Sequence, residues 1–146
     1  LPMEQLLTGT GPDAPPATVA QVGEAMLEAL RRIATDAQLR RVMQIAIHRV
    51  EYVEELGAVQ ARHLQMHRQW LARNHSAMER AFAERPWPAA VPPDMAALGL
   101  QVLVEGLLQS WLLDPQAYDL VQAARASIGT YLRGLGLEIW PDPRPA

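Results

Sequence analysis

The chain has 146 residues, a formal net charge of -3, 49% hydrophobic residues and no cysteine. That length and composition suit one folded domain, able to bury about 70% of the surface its unfolded chain exposes. Disulfides, thiolate metal sites and cysteine nucleophiles are excluded, as are Schiff-base lysines and a P-loop, because all 13 basic residues are arginine. A domain that gripped duplex DNA by itself would carry a basic excess, which this chain lacks.

From the start of the chain, Leu1–Leu7 reads as the end of a helix, followed by a loop over Gly9–Pro16 with two Gly and three Pro. Thr18 and Gln21 have the spacing of a capping box. They open a helix over Val19–Ala34, with Val22, Met26, Ala29 and Ile33 along one face. Asp36 is placed to cap a helix from Ala37 to about Tyr52, and Gly57 to break the chain before a long helix over Ala58–Arg85. Pro86–Pro93, with four prolines, is the longest loop; Asp94 is expected to cap the apolar helix that follows. That helix stops at Asp114, which Pro115 pushes out of helical geometry. The last helix is expected over Ala117–Leu135, ended by Gly134 and Gly136, with a loose tail at 138–146. No segment alternates at period two for long, so the fold class is all-α, with about five to six helices.

Met95–Leu113 is 19 residues of mostly apolar sequence, but Gln101, Glu105, Gln109, Ser110 and two glycines interrupt it. A central glutamate is costly in lipid, and no basic flank compensates, so this is read as a soluble helix buried on two sides, with no membrane partner. Serines are few (Ser76, Ser110, Ser127), each inside a predicted helix and without a nucleophile elbow, so no enzyme is expected.

Glu105–Gly106–Leu107, then Trp111–Leu112, Pro115 and Asp119–Leu120, resemble the ligand-binding half of TetR-family repressors in the multidrug-efflux branch. A second block, Arg40–Arg41, Ile45, His48–Arg49 and Glu51–Tyr52, is similar to that family's Arg-Arg…His-Lys-Cys-Glu-aromatic run. The resemblance covers about Ala17 to Leu137. It implies a ligand-binding and dimerisation domain over 17–137, with 1–10 ending a helix from a helix-turn-helix unit outside this chain. It also implies a homodimer in the cytoplasm, a small hydrophobic or amphipathic effector, operator DNA contacted only through that outside unit, and no cofactor.

Gly99, Leu103, Gly106 and Ser110 share one side of the apolar helix, and Ser127, Thr130 and Gly134 give the last helix a small-residue side. The resemblance makes these two helices a four-helix dimer interface; the alternative is packing within the chain. Gln101, Val104, Glu105 and Leu108 match positions that line a drug pocket in the efflux branch. His63, His67, Trp70 and Asn74 form one stripe on the long helix. Val22, Met26, Ala29, Met43 and Ile47 complete a mainly apolar cavity with few polar groups. Met43 and Ile47 stand where relatives tend to carry Asn and His, so that wall is greasier here. Glu105 is either an anchor for cationic or hydroxylated ligands or the partner of an arginine such as Arg68 or Arg73. His63 and His67 could also bind a metal, although no metal site is assigned and no HExxH motif is present. His48 is read as serving packing or a helix–helix hydrogen bond, Trp111 as core between the last two helices, and Trp87 as partly exposed. The arginine pairs Arg31–Arg32 and Arg40–Arg41 are read as solvated faces and salt bridges. The rival functions are a standalone helical carrier of hydrophobic metabolites and a His-based metal sensor.

Overall fold

A computed structural model describes the backbone of residues 17–48, 54–85 and 91–141, with side chains throughout except at 46–48, 54–56 and 59. The expected helix at Leu1–Leu7, the Gly9–Pro16 loop, Glu51–Tyr52, Trp87 and the side chains of Ile47 and His48 lie outside the described residues. Five α-helices are described: α1 (Val19–Thr35), α2 (Ala37–His48), α3 (Glu54–Ala83), α4 (Pro93–Leu113) and α5 (Leu120–Gly134).

Local signals set most of the boundaries. The Thr18 hydroxyl accepts from Gln21 N (3.1 Å) and Gln21 Oε1 from Thr18 N (2.9 Å), satisfying two orphan donors of α1. Asp36 Oδ1 accepts from the amides of Gln38 and Leu39, starting α2. Asp114 caps the end of α4, its amide donating to Ser110 O (3.2 Å). After α5, Gly136 takes φ 79°, while Gly136 N donates to Arg133 O and Leu137 N to Leu132 O. That is a Schellman stop, which favours a residue without Cβ at its left-handed position.

Three boundaries differ from the sequence expectation. Gly57 lies inside α3, exposed and with open space around it; a single glycine costs an exposed helix only about 1 kcal/mol, too little to break one of 30 residues. Asp94 is not the cap of α4. Pro92 holds that place and Pro93 begins the helix, leaving Asp94 in the first turn, where its charge suits the helix dipole. The last helix starts at Leu120 rather than Ala117, because Asp119 is its cap and accepts from Gln122 N (2.8 Å).

The core lies where α1, α3, α4 and α5 meet, around Leu27, Leu30, Ile33, Met78, Leu100, Leu120, Ile128 and Leu132. Each such side chain contributes about 1.5–3 kcal/mol through burial. The α3–α4 and α4–α5 pairs are the most extensive. Arg40 is not a solvated arginine. Its guanidinium stacks 5.0 Å over the Trp111 ring and donates to Ala34 O (2.7 Å), fastening α2 to α4 and to the end of α1. Trp111 is buried, as expected, but this stacking partner comes from α2 rather than α5. Arg31 and Arg32 pair with Glu28 as expected and hold its carboxyl below the usual range.

The first residues of the expected tail are packed. Ile139 and Trp140 lie against Gly23 of α1, where any Cβ would collide with them. Trp140 Nε1 donates to Glu24 (2.7 Å), and its ring receives Arg125 of α5 at 4.6 Å.

Candidate functional site

The site begins with the stripe on α3. Trp70 and Asn74 are buried, Asn74 completely, while His63 and His67 are half-buried nearer the start of the helix. Opposite them α4 presents Gln101, 6% exposed, then Val104, Glu105 and buried Leu108. Val22, Met26 and Ala29 of α1 and Met43 of α2 are also buried in the shared core.

The polar groups of α3 and α4 form one hydrogen-bonded column. Asn74 Nδ2 donates to Gln101 Oε1 (2.8 Å), and Gln101 Nε2 donates to Glu105 Oε1 (3.1 Å). His67 Nδ1 meets the same carboxylate oxygen. Chemistry fixes the direction of every link. A carboxylate only accepts, so Gln101 must turn its NH2 toward Glu105 and its oxygen toward Asn74. Asn74 must then donate, and His67 must carry its proton on Nδ1. Glu105 therefore takes neither of the arginine partners that its sequence suggests, Arg68 or Arg73: its bonds are to His67 and Gln101. An amide and an imidazole satisfy part of an acid's bonding demand while leaving it room for another group.

Burial lowers the pKa of His63, an effect that Glu105 opposes and His67 reinforces. The ring is therefore held toward its neutral form beside the His67–Glu105 pair. Arg73 stacks 5.8 Å over the Trp70 ring, and burial lowers its pKa too. No group of three His, Asp or Glu side chains able to hold one metal ion is found among the described residues.

The small-residue side of α4 divides in two. Gly99 admits the Tyr131 side chain, whose hydroxyl donates to Ala96 O (2.9 Å), so this glycine serves α4–α5 packing within the chain. Leu103 is half-buried and packs on the core. Gly106 and Ser110 are exposed, and a Cβ at Gly106 or Gly134 would meet nothing within 4 Å. On α5, Thr130 is exposed and Ser127 half-buried. Sequence reasoning missed the outward stripe of α4: Met95, Leu98, Val102 and Leu113 all stand exposed, Val102 at 55% and Leu113 at 77%. Their spacing of three, four and eleven residues is a readable signal, since it places them on one side of the helix, opposite Leu100, Leu108 and Trp111. α4 is also the one helix among the described residues long and apolar enough to cross a membrane by length and composition.

The helical fold of the described residues has a solved counterpart. It is similar to NalD, the secondary repressor of the MexAB-OprM multidrug efflux pump of Pseudomonas aeruginosa (TM-score 0.62, 28% identity). The match covers 92% of this chain and 66% of that one. The chain is also similar to the HTH-type transcriptional regulator AcrR of Shigella flexneri, 26% identical over 109 residues that make up 75% of this chain. It spans about half (51%) of that relative's length. Residues 18–137 match the family of the C-terminal region of MAATS-type transcriptional repressors. The chain belongs to the TetR family of transcriptional repressors, as a C-terminal domain of its efflux-regulator branch.

Proposed function

We propose that this domain is the effector-sensing and dimerising part of a cytoplasmic repressor of a multidrug efflux system. The observation that carries the reading is the α3–α4 column, in which an acid is held among apolar residues by an imidazole and an amide rather than by a permanent cation. Hydrophobic or cationic molecules would lie along Val104, Leu108, Trp70, Met26 and Met43, with positive charge drawn to Glu105. Apolar walls with a few fixed polar groups are the usual make-up of a small-molecule site, and Met26 and Met43 can adapt to different shapes.

Dimerisation is assigned to the outward face of α4, around Gly106, and to α5 at Ser127, Thr130 and Gly134. Two copies would then bury the exposed Met95, Leu98, Val102 and Leu113. In the intact protein a dimer would hold two DNA-reading helices about one turn of duplex apart, roughly 34 Å. An effector that prefers a shape with another spacing would release operator DNA, and DNA must weaken the effector by the same factor.

A thermal-shift screen against amphipathic aromatic cations, neutral aromatics and divalent metals tests the reading. Binding at a hundredfold over Kd adds about 2.7 kcal/mol to stability. Stabilisation by several unrelated aromatic compounds is expected. Silence from all of them would overturn effector sensing, and a response to metal alone would move the role to His63 and His67.

A further inference from the structure

The chain doubles back after α5 instead of leaving the fold. The Schellman stop at Gly136 turns it, and Leu137, Ile139 and Trp140 then pack on the core across α1 and α5. Their seat is a cleft with bare backbone on both sides. A Cβ on Gly23 of α1 would stand 2.5 Å from Ile139 Cδ1 and 3.3 Å from the Trp140 ring. One on Gly129 of α5 would stand 3.7 Å from the same ring. Each helix also grips the indole from the rim. Glu24 of α1 accepts from Trp140 Nε1 at 2.7 Å, and Arg125 of α5 stacks on the ring at 4.6 Å. Glu138 pairs with Arg133 of α5 at 3.7 Å.

The rim contacts are weak, because both side chains of the Arg133–Glu138 pair are about half exposed and the Glu24 bond lies at the surface. The hold therefore comes from the fit of Ile139 and Trp140 in the cleft. Neither of these side chains is fully buried, so the segment can open while the core stays closed. What it holds bears on the site. Val22, Met26 and Ala29, buried round the helix from Gly23 and Glu24, are the wall that α1 gives the proposed effector site.

We propose that residues 137–140 are a strap that pins α1 to α5 and so regulates effector binding, the closed strap being the binding form. The regulatory half rests on the effector-sensing reading above; the pinning half does not. A closed strap keeps Val22 and Met26 in register with α3 and α4. An open one frees α1 to shift, and apparent affinity falls with the fraction of chains that remain closed.

The test is hydrogen exchange of the full chain, read by mass spectrometry, on the wild type and Trp140→Ala, with titration of N-methylacridinium at pH 8. In the variant, α1 amides should exchange about tenfold faster, while those of α3 and α4 change by less than about twofold. Affinity for the cation should fall about fivefold, although Trp140 lies outside the α3–α4 column. Trp140→Phe should shift α1 in the same direction by less, and it is the arm that stands if the alanine variant unfolds. Gly23→Leu checks the seat. It should lower the Tm of the wild type by evicting the strap. In an Ile139→Ala, Trp140→Ala chain it should raise the Tm by about 3–5 °C, because leucine is a better helix former than glycine. Equal acceleration in α1, α3 and α4 would make Trp140 a source of overall stability only, and unchanged α1 exchange would remove the restraint; either overturns the strap. Faster α1 exchange with unchanged affinity for the cation would overturn the regulatory half. If the cation does not bind even the wild type, the effector reading and the regulatory half fall together, and exchange alone decides the pinning.

Discussion

The two faces of α4 differ in what their sequence asks for. The face toward α3 carries Gln101 and Glu105, whose bonds run to Asn74 and His67 within the chain, while the Glu105 side chain stays partly open to solvent. The opposite face carries Met95, Leu98, Val102 and Leu113, which stand exposed among the described residues. A helix that is apolar all round is normally buried all round. The polar groups on the inner face make it selective, because each buried amide must find a partner of the right sense. The outer face discriminates only by shape and closeness of approach, which small residues such as Gly106 and Ser110 permit.

Substitutions separate the two faces. The largest effect is expected at Gly99, where a leucine would displace Tyr131 and its bond to Ala96. Overpacking and the lost hydrogen bond should together cost about 2–4 kcal/mol in urea denaturation. Gly106→Leu, two turns further along, should not destabilise the chain's own fold and should gain up to about 1 kcal/mol, because the space around it is open and a glycine leaves the helix interior. It should instead raise the dimer dissociation constant at least about tenfold by sedimentation; a variant that stays dimeric at low micromolar concentration removes Gly106 from the interface.

Effects on the inner face grade from buried to open. Asn74→Leu strands the oxygen of buried Gln101 and should cost about 1–3 kcal/mol. His67→Ala breaks a pair whose glutamate is 41% exposed, so solvent screening should hold the loss within about 0–1 kcal/mol. Equal losses at the two positions would refute the gradient. The smallest effect is a pH dependence. Burial holds the His63 pKa below the ordinary 6.5, so the unfolded chain binds more protons between the two values. Its contribution is complete above 6.5 and is lost as pH falls through 6.5 toward the folded value. His63→Leu should flatten that part of the stability–pH curve measured by thermal melts.

Much of this fold is legible in the sequence, and the reasons are local. The Thr18–Gln21 box, the Asp36 cap and the Asp114–Pro115 stop need only neighbouring residues. The inward stripe of α3 follows from helical period alone. What needs three dimensions is the choice between partners. Glu105 has arginines at hand in sequence, but the packing of α3 on α4 brings His67 to it, while Gln101 reaches it from one turn back on the same helix. Arg40 looks like a surface charge in sequence, yet its side chain reaches from α2 to Trp111. Gly99 and Gly106 share a motif, but only Gly99 faces Tyr131, and sequence spacing carries no record of which neighbour stands beside each. Asp94 is of the right type for a cap, but the two prolines before it have already begun the helix.

The central claim is that the α3–α4 column is a ligand site whose acid selects positive charge. The direct measurement is titration of N-methylacridinium and of uncharged acridine, at pH 8, into the wild-type chain and into Glu105→Leu. The two ligands share a shape and differ in charge. The account expects the cation to lose at least about tenfold in affinity on substitution, with acridine changing by less than about threefold. Equal weakening of both, or binding of neither to the wild type, would contradict it.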